Sequence, residues 1–214
     1  MKLLGTKPLL GLLFSASVLL AQQTPVEVAA RFVPPNSSLQ EFEVYSPSTG
    51  QPIQRQPAVV KAHVVSSQSN DIVFAYKSVT IDSEPGALFV AVLHETPSGY
   101  VKISEESYYA RRLWVQDFRT VGLKVFKPSM QGPDVIAIIT EVGASAGGDL
   151  QVLRWDPSRG LITCLSSPAP PAYNFRFSET SRGSEISLSF EKYPGQVGVR
   201  PPVTYRWDGK LFVH

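Results

Sequence analysis

Gly143-Ala144-Ser145-Ala146-Gly147 matches the Gly-x-Ser-x-Gly pattern of a hydrolase nucleophile. Such a serine works because a strand turns sharply into a helix, exposing its hydroxyl beside backbone donors that form the oxyanion hole. Here the motif is followed by Gly148-Asp149-Leu150-Gln151-Val152-Leu153, which reads as a second strand. A small-residue loop between strands accounts for the same letters, so Ser145 with a distant His and Asp is the alternative reading. The histidines, His63, His94 and His214, are too scattered for zinc-ligand spacing. Cys164, the single cysteine, sits in Leu161-Ile162-Thr163-Cys164-Leu165 and reads as a buried hydrophobe on a strand. Glu41 with Glu43 and Glu105 with Glu106 read as solvated edge charges. Neither a metal nor a cofactor is expected.

The segment from Tyr108 to Trp114 offers a different chemistry. Tyr108, Tyr109, Arg111, Arg112 and Trp114 put aromatic faces beside guanidinium donors, the composition of a contact patch for a protein, a peptide or a glycan. The competing reading places Tyr109, Leu113 and Trp114 in the core with the arginines covering its rim.

These residues need a scaffold, and the chain's beginning says where that scaffold works. Lys2 and Lys7 precede an apolar run from Leu9 to Leu20, which ends at Ala21 before Gln22 and Gln23. A charged region, a short apolar stretch and a small exit residue make residues 1–21 a signal peptide and predict a secreted or periplasmic protein. Leu19 departs from the small-x-small preference, leaving an uncleaved anchor as the alternative. No later stretch is long and apolar enough to span a membrane, so none is expected after cleavage. Lys2 and Lys7 are also the whole excess of the 20 Lys and Arg over the 18 Asp and Glu. A formally neutral remainder lacks the positive field that gathers nucleic acid.

Residues 22–56 are rich in Pro, Ser and Gln, with Pro34-Pro35, Pro47 and Pro52 interrupting regular elements. They read as a leader in which Val26–Val33 pairs at a sheet edge and Glu41-Phe42-Glu43-Val44-Tyr45 alternates as a strand. Residues 57–214 read as an all-β domain. Ala58–Val65, Asp71–Lys77, Ala87–Leu93, Tyr100–Ile103 and Asp134–Thr140 are short, β-branched and bounded by turn residues. Val135-Ile136-Ala137-Ile138-Ile139 is apolar throughout, which requires cover on both faces, whereas Glu185–Glu191 alternates as a strand with one wet face. Ser104–Phe118 fits either a short helix or a strand.

A repeat organises the second half. Arg154-Trp155-Asp156 leads through Pro157–Gly160 into Leu161-Ile162, and Arg206-Trp207-Asp208 leads through Gly209-Lys210 into Leu211-Phe212; Leu93–Val101 is a weaker copy. Each reads as a β-hairpin, Asp208-Gly209 being the clearest turn. Glu95, Asp156 and Asp208 stand 61 and 52 residues apart, close to the length of a four-stranded propeller blade. Trp155 and Trp207 read as blade-packing residues.

Over residues 70–214 the chain resembles bacterial secreted repeat proteins of the FG-GAP and VCBS type. The residues concerned are Asp71-Ile72-Val73-Phe74, Asp134-Val135-Ile136-Ala137, Leu153-Arg154-Trp155-Asp156 and Tyr205-Arg206-Trp207-Asp208. The resemblance implies propeller-like blades. The Asp-rich calcium loop of such proteins has no counterpart between Asp117 and Pro133, so no metal site is carried over. Three blades are too few to close a ring. The expected fold is therefore an antiparallel hairpin meander, incomplete and propeller-like, with a β-sandwich as alternative. The expected role is a non-catalytic binding module, with a serine hydrolase or a structural part of an envelope assembly as alternatives.

Overall fold

A computed structural model describes residues 23–45, 49, 52–78, 87–108, 113, 115–117, 120–141, 147–165, 168–180, 183–191 and 195–214. The architecture is all-β and antiparallel, with one short helix, α1 (Pro25–Ala30). Strands follow as β1 (Ser37–Leu39), β2 (Glu41–Tyr45), β3 (Pro52–Pro57), β4 (Val59–Ala62), β5 (Asp71–Ser78), β6 (Leu88–Thr96) and β7 (Gly99–Tyr108). After β8 (Val115–Asp117) and β9 (Thr120–Val121) come β10 (Leu123–Phe126), β11 (Val135–Glu141), β12 (Gly148–Asp156) and β13 (Gly160–Thr163). The last four are β14 (Asn174–Thr180), β15 (Gly183–Ser189), β16 (Val203–Trp207) and β17 (Phe212–Val213).

Helix α1 replaces the edge strand expected over Val26–Val33. Thr24 and Glu27 form a capping box, Glu27 Oε2 accepting from the Thr24 N–H at 2.7 Å, and Pro25 pre-sets the first helical φ. These local bonds outweigh the β preference of Val26 and Val28. The ambiguous 104–118 stretch is extended wherever it is described: β7 runs to Tyr108, Leu113 bridges Thr140, and β8 follows.

Three sheets are stacked. In the first, β5, β6 and β7 form a meander, and one edge of β5 is shared end to end by β1 and β4. Gln40 and Ala58 meet where those halves join, the Ala58 N–H donating to the Gln40 carbonyl at 2.7 Å, so the β2–β3 hairpin is an insertion within one edge strand. The second sheet is β10-β11-β12-β13 and the third β14-β15-β16-β17. Each is a meander of neighbours in sequence, which keeps the loops short.

The side-chain period of two sorts residues among the layers. Val73, Val90 and Val92 of the first sheet pack against Ile136, Ile138 and Leu153 of the second. From the opposite face of β11, Val135, Ala137 and Ile139 pack against Ile186, Leu188 and Phe212 of the third. That is why β11 is apolar at five successive positions. Among the described residues no layer lies beyond the third sheet, and β15 alternates as its sequence implies: Ile186 and Leu188 are buried while Ser187 pairs with Thr204 and Glu185 with Arg206. At the other end of the stack, α1 lies on the outer face of the first sheet, where Val28 and Ala29 join Ile72, Phe74 and Leu93.

Candidate functional site

Meanders put the loop after a sheet's first strand and the turn after its third at the same end. In the first sheet these are residues 63–70 and the β6–β7 turn, held together by Glu95 N–H donating to the Asn70 carbonyl at 3.0 Å. The repeat seen in the sequence falls at one equivalent place: Glu95, Asp156 and Asp208 all precede or sit in the last hairpin of successive sheets. Asp156 Oδ1 accepts from the Ser158 hydroxyl and from the N–H groups of Ser158 and Arg159. Asp208 Oδ1 accepts from Lys210 and Leu211 N–H. These bonds hold both carboxyls below the usual range, the Ser158 hydroxyl being the main cause for Asp156 and the Leu211 amide for Asp208. Gly209, at φ 107°, supplies the left-handed residue of its turn.

Buried polar side chains gather at this same rim. Among the described residues they are Ser69, Asp71, Asp134 and Ser184. Asp134 Oδ2 accepts from the His63 N–H at 2.7 Å, and the Asp134 N–H donates to the His63 carbonyl at 2.8 Å, tying the second sheet to the loop of the first. Ser184 repeats this one layer on: its N–H donates to the Pro128 carbonyl and its hydroxyl to that of Lys127. The residue at or before the second strand of one sheet thus fastens the loop of the sheet below it.

Asp71 holds the corresponding place in the first sheet, below which no sheet lies among the described residues. Its Oδ2 accepts from Val64 N–H at 2.6 Å, Val65 N–H at 2.9 Å and the Ser69 hydroxyl at 2.6 Å; its Oδ1 meets His94 Nδ1 at 2.8 Å. A carboxylate only accepts, so Nδ1 carries a proton in this pair. His94 is about one-third exposed, at 31%, and the Asp71 side chain is fully buried. Ser, Asp and His therefore meet, but in the wrong order for nucleophilic catalysis. A primed serine must bond the imidazole, whereas here hydroxyl and imidazole both bond the carboxylate.

Ser145 lies outside the described residues, as do Tyr109, Arg111, Arg112 and Trp114. The chain is described again from Gly147, and β12 follows the Ser145 motif rather than a helix. Its last glycine has a packing reason: Gly147 has φ +88°, and a Cβ there would stand 2.6 Å from the Ala172 carbonyl oxygen. Glu141 and Gly148 pair at the end of β11 away from Asp134. That separates them from the Asp71 rim by the length of a seven-residue strand, roughly 20 Å. No family model, curated protein or solved structure matches the chain.

Of the expected contact patch, Tyr108 is described and is buried between the first two sheets, where burial and then Glu106 push its phenol well above the usual range. Cys164 is fully buried between the second and third sheets, and burial pushes its thiol up to about 12 against the opposing pull of Arg154. Trp155 and Trp207 pack against the inter-sheet cores, Trp207 lying 5.1 Å from the Phe212 ring. Among the described residues no group of three or more His, Cys, Asp or Glu side chains is arranged to hold a metal. No described helix is long and apolar enough to cross a membrane.

The roles of Asp71, Asp134 and Ser184 escape a reading of the sequence. The signal was an acid placed directly before an apolar strand, which hints at a buried carboxylate; its partners are set by the fold.

Arg154 carries a separate expectation. Its Nε is buried with no hydrogen-bond partner, and its cross-strand neighbour is Ile162. An enclosed donor left unpaired costs about 1–3 kcal/mol. Arg154→Met is therefore expected to raise the chemical-denaturation midpoint, and a lowered midpoint would show that the guanidinium is stabilising after all.

Proposed function

We propose that the chain is an extracytoplasmic, non-catalytic binding module, in which successive propeller-like blades present the loops of one rim to a protein, peptide or glycan. The observation that supports this most is the state of those loops. Their turns are closed by their own side chains, and Asp71, Asp134 and Ser184 fasten them to the sheets. Loops already held in one shape lose little conformational entropy on binding. The Ser69 hydroxyl and the His94 imidazole at this rim both bond the Asp71 carboxylate that holds it. The resemblance to secreted repeat proteins and the expected signal peptide at residues 1–21 support the location.

The test is thermal stabilisation by peptide and glycan ligands. A ligand that raises the melting temperature should lose its effect when Met130 and Arg159, exposed on the loop-bearing rim, are replaced by Ser and Glu. It should keep that effect in Val197→Ser, an exposed residue of the loop at the opposite end. Ligands sensitive only to Val197 would move the binding surface to the other end and refute the assignment. For location, N-terminal mapping of the extracytoplasmic fraction should find chains starting at Gln22, whereas protein retained in the cytoplasm with Met1 would count against export.

A further inference from the structure

We propose that two copies of this chain pair antiparallel through β7, joining their first sheets edge to edge. β7 is ten residues long, roughly 30 Å. It ends its sheet: β6 pairs with one side, and among the described residues no strand pairs with the other. The chain leaves it for the second sheet, where Leu113 bridges Thr140. The edges of the other two sheets are shorter, β10 and β13 with four residues each, β14 with seven and β17 with two. The opposite edge of the first sheet is broken between β1 and β4. A long edge of unpaired backbone groups is a template for one more strand.

Which strand fits follows from the faces of β7. Val92 lies opposite Ser104 and Leu93 opposite Lys102, so Ile103 is an extra residue in a bulge. Val101, Ile103, Ser104 and Glu106 therefore point inward, on the side of Val90 and Val92, while Tyr100, Lys102, Glu105 and Ser107 point outward with Ala91 and Leu93. The bulge breaks the alternation, so a strand of strict period two matches these faces on only one side of it. A second β7 run antiparallel matches them throughout when Ile103 stands opposite the partner's Ser104. Lys102 then faces the partner's Glu105, Val101 the partner's Glu106 and Tyr100 the partner's Ser107. Sliding the copy by a residue either way sets inward side chains against outward ones. Lys102 and Glu105 hold each other at 2.6 Å within one strand, and in the pair each also stands about 5 Å, between Cβ atoms, from its opposite charge in the partner. The two-fold axis makes that contact twice. Charges and a bulge keep an edge from pairing at random; here they admit one strand in one register. Because the paired strands are antiparallel, the loop-bearing rims of the two copies point in opposite directions.

The experiment is sedimentation equilibrium on the full chain at rising concentration, with a cooperative thermal transition as the check on folding. The parent's mass should rise toward about twice that of one chain. Lys102→Glu sets like charges against each other across the axis and should hold the mass at one chain, as should Glu105→Lys. Mixed in equal amounts, the two variants restore both opposite-charge contacts, and the mass should rise again. Glu105→Lys also removes the acceptor of the Tyr76 hydroxyl. Should that variant fail to fold, hydrogen exchange on the parent is read instead: β7 amides should slow as concentration rises, and those of β14 should not. A parent that keeps the mass of one chain at millimolar concentration overturns the proposal. So does an association that Lys102→Glu leaves intact, a folded mixture that stays at one chain, or β7 exchange that ignores concentration.

Discussion

Asp71→Ala is expected to destabilise the protein by about 3–5 kcal/mol, the scale for removing one partner of a buried, charge-assisted network. The carboxylate is fully buried and serves four donors, two of them backbone N–H groups, of which that of Val64 is buried. Asp71→Asn should also be costly. An amide keeps the shape but replaces one accepting oxygen with a donor, which would face either the Val64 and Val65 N–H pair or the imidazole. His94→Ala, by contrast, removes a single bond at a partly solvated side chain and should cost about 1–2 kcal/mol. Denaturant titration of the three variants orders them. If Asp71→Ala lies within 1 kcal/mol of the parent, the loop at residues 63–70 is not held by this carboxylate.

The second large effect concerns neighbours on one strand. Ile138 and Ile139 point to opposite faces of β11, and both are 0% exposed because each face meets another sheet. Truncating either to Ala should therefore cost about 2–5 kcal/mol, from lost apolar burial and the cavity left behind. The third sheet behaves differently. Ile186→Ala should fall in the same range, but its neighbour Ser187 faces outward and bonds only Thr204, so Ser187→Ala should cost less than about 1 kcal/mol. A two-layer sandwich would show the β15 pattern on β11 as well. Urea melts of the four variants separate the two arrangements, and a cheap Ile138→Ala or Ile139→Ala would remove the third layer from the account.

Much of this layering is legible in the sequence, because it rests on local signals. The unbroken apolar run at 135–139 demands cover on two sides, and the alternation at 185–191 demands it on one. Asp-Gly at 208–209 announces its turn. Helix α1 was obscured by Val26, Val28 and the prolines around it, although the Thr24–Glu27 spacing of a capping box was present. The split edge strand was hidden for a different reason. Its halves, β1 and β4, come together only through β5, and the intervening hairpin looks from sequence like part of an irregular leader.

At the rim the limit was distance along the chain. His63 and Asp134 are 71 residues apart, and Ser184 and Lys127 are 57 apart. No spacing rule connects such pairs, since each depends on how two sheets stack. The Asp71 and His94 pair, 23 residues apart, depends on the β5–β6 register. Sequence marked Asp71 and Asp134 as starts of apolar strands, and the stack gave both acids their work.

Native-state hydrogen exchange, resolved by residue, tests the three-layer arrangement most directly. With sheets on both sides, the amides of Ile136, Ala137, Ile138 and Ile139 should exchange only through global unfolding, and those of β15 through smaller openings of the outer sheet. Protection of β11 no greater than that of β15, or an outer-sheet rate shared by the 136–139 amides, would contradict a central layer enclosed by two others.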